Sequence, residues 1–417
     1  MKSKLLYIIC LVAGLLQACT NEVDDLFDSA AQQRLNEEIR VCKELLVSSQ
    51  YGWKLDYYPS ATQKYGGFAM TLKFDEYKVA VASEITMDAT LTESSLYSVK
   101  ADMGPTLNFD SYNSVLHYFS DPALSVGAGV GAGLEGDYEF IIVSHTDDEI
   151  ILKGKKTRNV MRMVRLDKPS EEYLAPIMER AGEISSVMGV LGYDGQINGQ
   201  QVSVSIPSDR RMDIQIGTDE LLKTAFMYTA TGIRFYQPLE IGGQTVEELE
   251  WLSDKQTWMF GGKELTPVID PIYPLYSRYL GEYTMNYTYG NQAREVPVNI
   301  VMRNYTPTTK DYIVEGLPFK LRLNYNVQKD CMEFLTYTEG QCYFSVWEVT
   351  GSGTLSWGAG YGMVAKLRAG TDNVYDFVDN GVWQTNVARA IILWSSGGEY
   401  RGFGGDTRFQ YIVLTKK

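Results

Sequence analysis

The chain has 417 residues, enough for two or three domains, each large enough to bury a core. Its 38 basic and 52 acidic residues leave a net charge of −14, and no dense Lys/Arg cluster offsets it. That balance excludes a nucleic-acid binder working through phosphate contacts.

The first residues carry the clearest signal. Lys2 and Lys4 precede an apolar run from Leu5 to Leu16, which fits a secretion signal and is too short to span a bilayer. It closes on Leu16-Gln17-Ala18-Cys19, which resembles the bacterial lipobox. The implied product is a lipoprotein cut after residue 18 and acylated on Cys19. Each buried acyl methylene would contribute roughly 0.8 kcal/mol to membrane attachment. Losing Lys2 and Lys4 takes the net charge from −14 to −16. Nothing after Cys19 reaches the length of a transmembrane helix, so the expectation is a soluble body on a tether formed by residues 19–27. The acidic stretch Thr20 to Phe27 resembles the surface-export signal of Bacteroidetes lipoproteins, with an ordinary linker as the alternative. The expected location is the outer membrane, facing the exterior, with the periplasmic face as the other possibility.

Three cysteines remain in the mature chain: Cys42, Cys331 and Cys342. With Glu339-Gly340 as a hairpin turn, Cys342 faces Tyr337, and Cys331 lies too far along its strand to bridge. Buried free thiols are expected.

The elements are predicted mainly β with a few helices, in antiparallel sheets forming barrel- or sandwich-like domains. Residues 28–168 form a helix-plus-sheet domain. Ser29 and Gln32 have capping-box spacing, and Leu35, Ile39, Cys42, Leu45 and Leu46 then recur at three- and four-residue steps. The period next switches to two at Trp53, Leu55 and Tyr57, and again at Phe68, Met70, Leu72 and Phe74. Tyr138, Phe140 and Ile142 continue it, Thr146-Asp147-Asp148 turns, and Ile150 to Leu152 returns. One short helix fits between Asp110 and Phe119. Residues 169–266 open with a connecting helix ending near Gly189 or Gly192. Asp194-Gly195 and Asn198-Gly199 follow as hairpin-type turns, then strands at Val202–Ile206, Met212–Ile216 and Ile233–Phe235. Prolines between 267 and 274 suggest a linker. Residues 275–417 alternate most regularly, at Tyr283 to Tyr289 and Phe319 to Val327. Asn380-Gly381 gives a hairpin signal and Phe409, Tyr411 and Val413 a closing strand, so roughly eight strands fit an up-and-down barrel or sandwich.

Several words of the first domain occur together: Leu26-Phe27-Asp28, Gly52-Trp53, Tyr57-Tyr58-Pro59, Asp102-Met103-Gly104-Pro105 and Phe109 to Asn113. His117 to Pro122, Gly136 to Phe140 and Leu152 to Lys156 complete the set. Over residues 26–166 the chain resembles a domain-of-unknown-function family of Bacteroidetes lipoproteins, number 4302 in that series. The C-terminal part is only generically lipocalin-like. The resemblance implies an outer-membrane lipoprotein in a nutrient-acquisition or adhesion setting, and brings no catalytic residue.

Motifs for chemistry fail on context. Gly131 to Gly136 matches G-x-G-x-x-G, but a strand-like segment follows where a dinucleotide loop needs a helix. It reads as a loop at a barrel mouth. His117 reads as satisfying a local hydrogen bond, and His145 as part of the turn through Glu149, with a carboxylate cation site as the alternative. Lys153 to Lys156, with Arg158, Arg162 and Arg165, reads as solvated strand and turn residues. No catalytic residue, cofactor or metal is expected.

Tyrosine is abundant, at 29 residues, with 7 tryptophans. Such side chains suit both strands and sugar-stacking surfaces. Trp357, Tyr361, Tyr400 and Phe403, in Gly-rich stretches, are the expected ligand contacts. The functional expectation is non-enzymatic binding of an extracellular ligand, glycan first and protein second. The alternatives are an adhesive protein assembling through exposed strands and, behind it, a glycan hydrolase.

Overall fold

The computed structural model describes residues 31–417 except 125–132, 220, 242, 307 and 351–352. The signal segment, Cys19, the tether, Ser29 and most of the Gly-rich stretch before Gly133 lie outside the described residues. The chain divides into two compact units, Met1–Ser186 with Tyr193–Thr266, and Val187–Gly192 with Pro267–Lys417.

The first unit opens with helix α1 (Ala31–Val47), whose apolar positions bury Cys42 and Leu46 while Arg40 bridges Glu37 and Glu44 on the outer side. The indole of Trp53 donates to the Leu46 carbonyl at 2.9 Å, satisfying an acceptor that the helix end leaves open. Eight strands follow: β1 (Trp53–Tyr57), β2 (Phe68–Phe74), β3 (Lys78–Ser83), β4 (Glu93–Ala101), β5 (Pro105–Phe109), β6 (Glu139–His145), β7 (Glu149–Gly154) and β8 (Val160–Arg165). Each pairs antiparallel with the next, and β1 returns to β8 with Leu55 opposite Met163, closing a barrel. Alternation sends Leu55, Met70, Leu72, Val81, Phe140, Leu152 and Met163 inward. The predicted short helix is α2 (Ser114–His117), capped by the Asn113 side chain.

The quoted words are structural punctuation in this barrel. Gly52 sits at φ +88° where a Cβ would lie 2.5 Å from the Leu72 carbonyl oxygen. Gly136-Asp137 meets the Gly154 turn: the buried Asp137 carboxylate accepts from the Lys156 amide at 2.6 Å, the Thr157 amide at 3.1 Å and the Thr157 hydroxyl. Tyr57, buried at the barrel end, donates to the Asp137 carbonyl at 2.9 Å.

Helix α3 (Ser170–Ser185) leads to a meander of β9 (Val190–Ile197), β10 (Gln200–Ser208), β11 (Arg211–Ile216), β12 (Leu222–Tyr228), β13 (Gly232–Ile241), β14 (Gln244–Leu252), β15 (Thr257–Phe260) and β16 (Lys263–Glu264). Tyr193, Trp251 and Trp258 pack edge to face across it, with the two tryptophan rings 4.7 Å apart. Strand β2 is buried on both faces because its outer side lies against α3, where the Thr71 and Ser170 hydroxyls bond.

In the second unit β17 (Thr266–Ile269) and α4 (Tyr273–Ser277) precede thirteen strands: β18 (Gly281–Tyr289), β19 (Gln292–Tyr305), β20 (Lys310–Glu315), β21 (Leu321–Asn326), β22 (Cys331–Leu335), β23 (Tyr337–Glu339), β24 (Cys342–Trp347), β25 (Leu355–Ser356), β26 (Gly362–Leu367), β27 (Val374–Asp379), β28 (Ala390–Ser395), β29 (Gly398–Glu399) and β30 (Arg408–Lys416). A ring runs β18-β19-β20-β21-β22-β26-β27-β30 and returns to β18. One wall then splits along its length. Val413 to Thr415 of β30 face β27, whereas Arg408 to Gln410 face β28, and Tyr411 between them takes a left-handed φ of +51°. Strand β28 pairs with β24 and β24 with β23, which continues from β22 past Thr336.

Many of the tyrosines serve the core of this unit. Tyr276 and Tyr312 stack with centroids 4.4 Å apart, and each hydroxyl donates to a main-chain carbonyl at 2.9 Å, of Asp311 and Tyr276 respectively.

Three turn expectations are corrected. Asp194-Gly195 lies inside β9, and only Asn198-Gly199 turns. Gly195 is there for close approach, since a Cβ would meet Leu265 Cδ2 at 2.4 Å. Cys342 pairs with Glu339 and Tyr337 with Phe344, one turn position on from the predicted register. Asn380-Gly381 turns the chain, but β27 pairs with β26 and β30 rather than forming a hairpin with β28. Among the described residues the C-terminal strands number thirteen against roughly eight predicted, because the split wall adds five to the ring. Cys42, Cys331 and Cys342 are buried and free.

Candidate functional site

The split wall of the second unit turns one face inward and the other to solvent. Along β24 the inward side chains are Cys342, Phe344 and Val346, all buried; on the other face Tyr343 and Trp347 are partly exposed, with the buried Ser345 between them. Pairing with β28 sets Trp394 opposite Tyr343, and pairing with β25 sets Leu355 beside Trp347. Two residues beyond Leu355, Trp357 folds back and stacks on Tyr343, with centroids 4.9 Å apart and planes inclined by 21°. Trp357 remains 49% exposed, so one indole face is open to solvent.

Polar groups border these rings. The Trp347 indole donates to the Gly353 carbonyl at 2.7 Å, and the Arg408 guanidinium lies 5.3 Å from its ring centroid. Glu399, opposite Trp394 on β29, holds Arg408, accepts from the Thr407 hydroxyl at 2.9 Å and has Arg401 at 3.6 Å. The result is a shallow aromatic face edged by two arginines and a carboxylate, a surface that can stack a flat apolar ring and bond to hydroxyls at its rim.

The four residues expected to contact ligand do not share this face. Trp357 is on it. Tyr361 stacks on Trp383 at 5.8 Å and packs against the core. Tyr400 and Phe403 lie 5.1 Å apart on the opposite side of the wall, where Phe403 packs on Phe319 and Phe344. Phe344 and Tyr343 are neighbours on one strand, so alternation alone separates the two groups. Tyr343, Trp347 and Trp394 were missed because they converge only through the β24–β28 register.

Each unit has a cleft bordered by charged side chains. In the first unit a cleft of about 360 Å³ is lined by Asp56, Tyr58, Arg162, Arg234 and Tyr236. Arg234 donates to Asp56 at 3.0 Å and to Glu248 at 2.7 Å. Burial holds the Asp56 carboxyl above its ordinary range, opposed by Arg234. In the second unit a cleft of about 490 Å³ is lined by Arg278, Tyr279, Lys329, Asp330 and Tyr375, and Arg278 pairs with Asp330 at 2.6 Å.

Both histidines are engaged. His117 Nδ1 bonds the Asn113 main chain, and its ring stacks on Tyr138 at 5.1 Å. His145 does not join the acidic turn, which is closed by Thr146 and Glu149. Instead its Nε2 meets Glu38 Oε1 at 2.8 Å, and Cys42 Sγ lies 4.0 Å from that oxygen. In the basic stretch Lys155 is neutralised by Asp102 and Glu139, Arg162 by Glu149 and Arg165 by Asp148. Gly133 to Gly136 lead into strand β6 with no helix after them; Leu134 is buried in the barrel, and Glu135 bonds Ser60 and Lys64.

No helix among the described residues is long and apolar enough to cross a membrane. No curated protein and no solved structure matches the chain. Residues 261–394 match a second domain of unknown function, DUF4987, which covers every strand of the second ring except β30 and most of the split wall. The DUF4302 match runs over residues 23–253, well past Leu166 and through most of the middle sheet, so more than half the chain is covered and the protein belongs to the domain-of-unknown-function family DUF4302.

Proposed function

We propose that this is a lipid-anchored surface protein of Bacteroidetes type whose second unit binds an extracellular glycan without catalysis. The observation that carries the reading is Trp357 stacked on Tyr343 while 49% exposed, on a face that also carries Trp394 opposite Tyr343 and Arg408 over the Trp347 ring. Pyranose rings present an apolar face and equatorial hydroxyls, which suits a stacking ring with charged donors and acceptors beside it. The lipobox at Cys19 supports an outer-membrane location with the body facing outward.

The adhesive alternative needs a free strand edge. The edge strands β16 and β23 are two and three residues long and carry Lys263-Glu264 and Glu339, the short charged form that discourages pairing with another chain, whereas edge strand β17 (Thr266–Ile269) is uncharged and mostly exposed.

Thermal shift of the full chain against a panel of host and dietary glycans tests the reading. One glycan class should raise the melting temperature in a dose-dependent way by mass action. Trp357→Ala should abolish that rise without lowering the melting temperature of the unliganded protein. A flat panel on folded protein, or a shift indifferent to Trp357→Ala, rules the platform out.

A further inference from the structure

We propose that Glu38, Cys42 and His145 form a zinc site with one coordination position open to solvent. Glu38 and Cys42 are four residues apart on α1 and so share a helix face, while His145 ends β6 and brings its ring to them from 107 residues away. The carboxylate oxygen, the thiol sulfur and the imidazole nitrogen all lie within 4.8 Å of one another.

The donor set selects the metal. One thiolate, one imidazole and one carboxylate are the ligand types that Zn²⁺ takes, and three protein ligands leave the fourth tetrahedral position for water. Bond lengths of about 2.0–2.3 Å in that geometry separate N from O by roughly 3.4 Å and S from O by roughly 3.6 Å. The observed separations are 2.8 Å and 4.0 Å, so movements of about half an ångström seat the ion. Cys42 is buried against the barrel core, whereas Glu38 and His145 are partly exposed at the rim, so the open position faces outward. Binding replaces the thiol proton: Cys42 S–H becomes Zn–S, and one proton passes to solvent. The ion would also pin α1 to the barrel wall through His145.

Cobalt titration into the metal-free full chain in detergent tests this. One equivalent should bind, with a near-ultraviolet thiolate-to-cobalt charge-transfer band that zinc then displaces. Cys42→Ser should remove the band, and a Cys331→Ser/Cys342→Ser double variant should keep it. Should Cys42→Ser fail to fold, His145→Ala and Glu38→Gln, both at the rim, decide the matter by weakening affinity roughly tenfold or more. Absence of saturable binding to the wild-type chain, a band surviving in folded Cys42→Ser, or unchanged affinity in both rim variants overturns the site.

Discussion

Arg210 reaches both oxygens of Glu84 at 3.1 Å, and the pair is almost wholly buried between the first barrel and the middle sheet of the same unit. The guanidinium lies between the Phe68 ring at 4.1 Å and the Tyr228 ring at 4.6 Å, and also donates to the Gly67 carbonyl at 2.7 Å. Glu84 in turn accepts from the Ala69 amide at 2.7 Å. Removing one partner strands the other charge in a dry site. Arg210→Met or Glu84→Leu should each cost about 3–5 kcal/mol in urea unfolding of the first unit, whereas the double variant should recover most of that loss. Additive losses would mean that the pair does not act as a unit.

The last glycine of the G-x-G-x-x-G match has a packing reason. A Cβ on Gly136 would lie 2.4 Å from the Tyr57 hydroxyl and 2.5 Å from Phe119 Cβ. Gly136→Ala should therefore destabilise the barrel by about 1–3 kcal/mol while nucleotides produce no thermal shift in either protein. Asp137→Ala, next to it, removes the acceptor from three donors and should cost at least about 3 kcal/mol by the same measurement.

Burial pushes the Tyr97, Tyr193 and Tyr228 hydroxyls up to about 12, from an ordinary value of 10.0, and pushes Tyr276, Tyr283 and Tyr312 of the second barrel up as well. An acid whose folded pKa is raised contributes stability that is intact below its unfolded pKa and is lost as pH climbs toward the folded value. The tyrosine contribution should thus be constant up to about pH 10 and be lost between pH 10 and 12, while the buried thiols, also pushed up, begin to lose theirs from about pH 9. Phenolate absorbance should rise together with loss of circular dichroism, not ahead of it. Gradual ionisation of folded protein would contradict this.

The two faces of the split wall predict opposite phenotypes. Phe403→Ala deletes a ring packed on Phe319 and Phe344 and should destabilise the second unit by about 3 kcal/mol, less if the loop collapses into the space. Trp394→Ala, beside Tyr343, should weaken glycan binding about tenfold with a smaller change in stability. Calorimetric titration alongside thermal melts separates the two.

Alternation at Phe68 to Phe74 and at Tyr283 to Tyr289 was legible because the large apolar side chains of each strand all face one barrel core, and period two is local information. Asp194-Gly195 misled because a glycine admitted for Leu265 looks the same in sequence as one admitted for a turn. The aromatic face was half visible: Trp357 stood out in its Gly-rich stretch, but Trp394 joins Tyr343 only through a pairing about fifty residues distant. The meeting of His145 with Glu38 and Cys42 had no sequence signal at all, since barrel closure alone brings the end of β6 under α1.

Strand β30 is the common neighbour of β18, β27 and β28, so three of the second barrel's contacts wait for one late segment. During synthesis the first barrel can close once Arg165 has emerged. The second must hold β18 with an unfilled edge while more than a hundred residues follow it. Long loop closure is slow, and an unpaired strand invites wrong partners in the interval. The protein thus passes through a stage in which a finished domain leads a half-zipped one, and its exposure to misassembly is set by how quickly those last residues arrive.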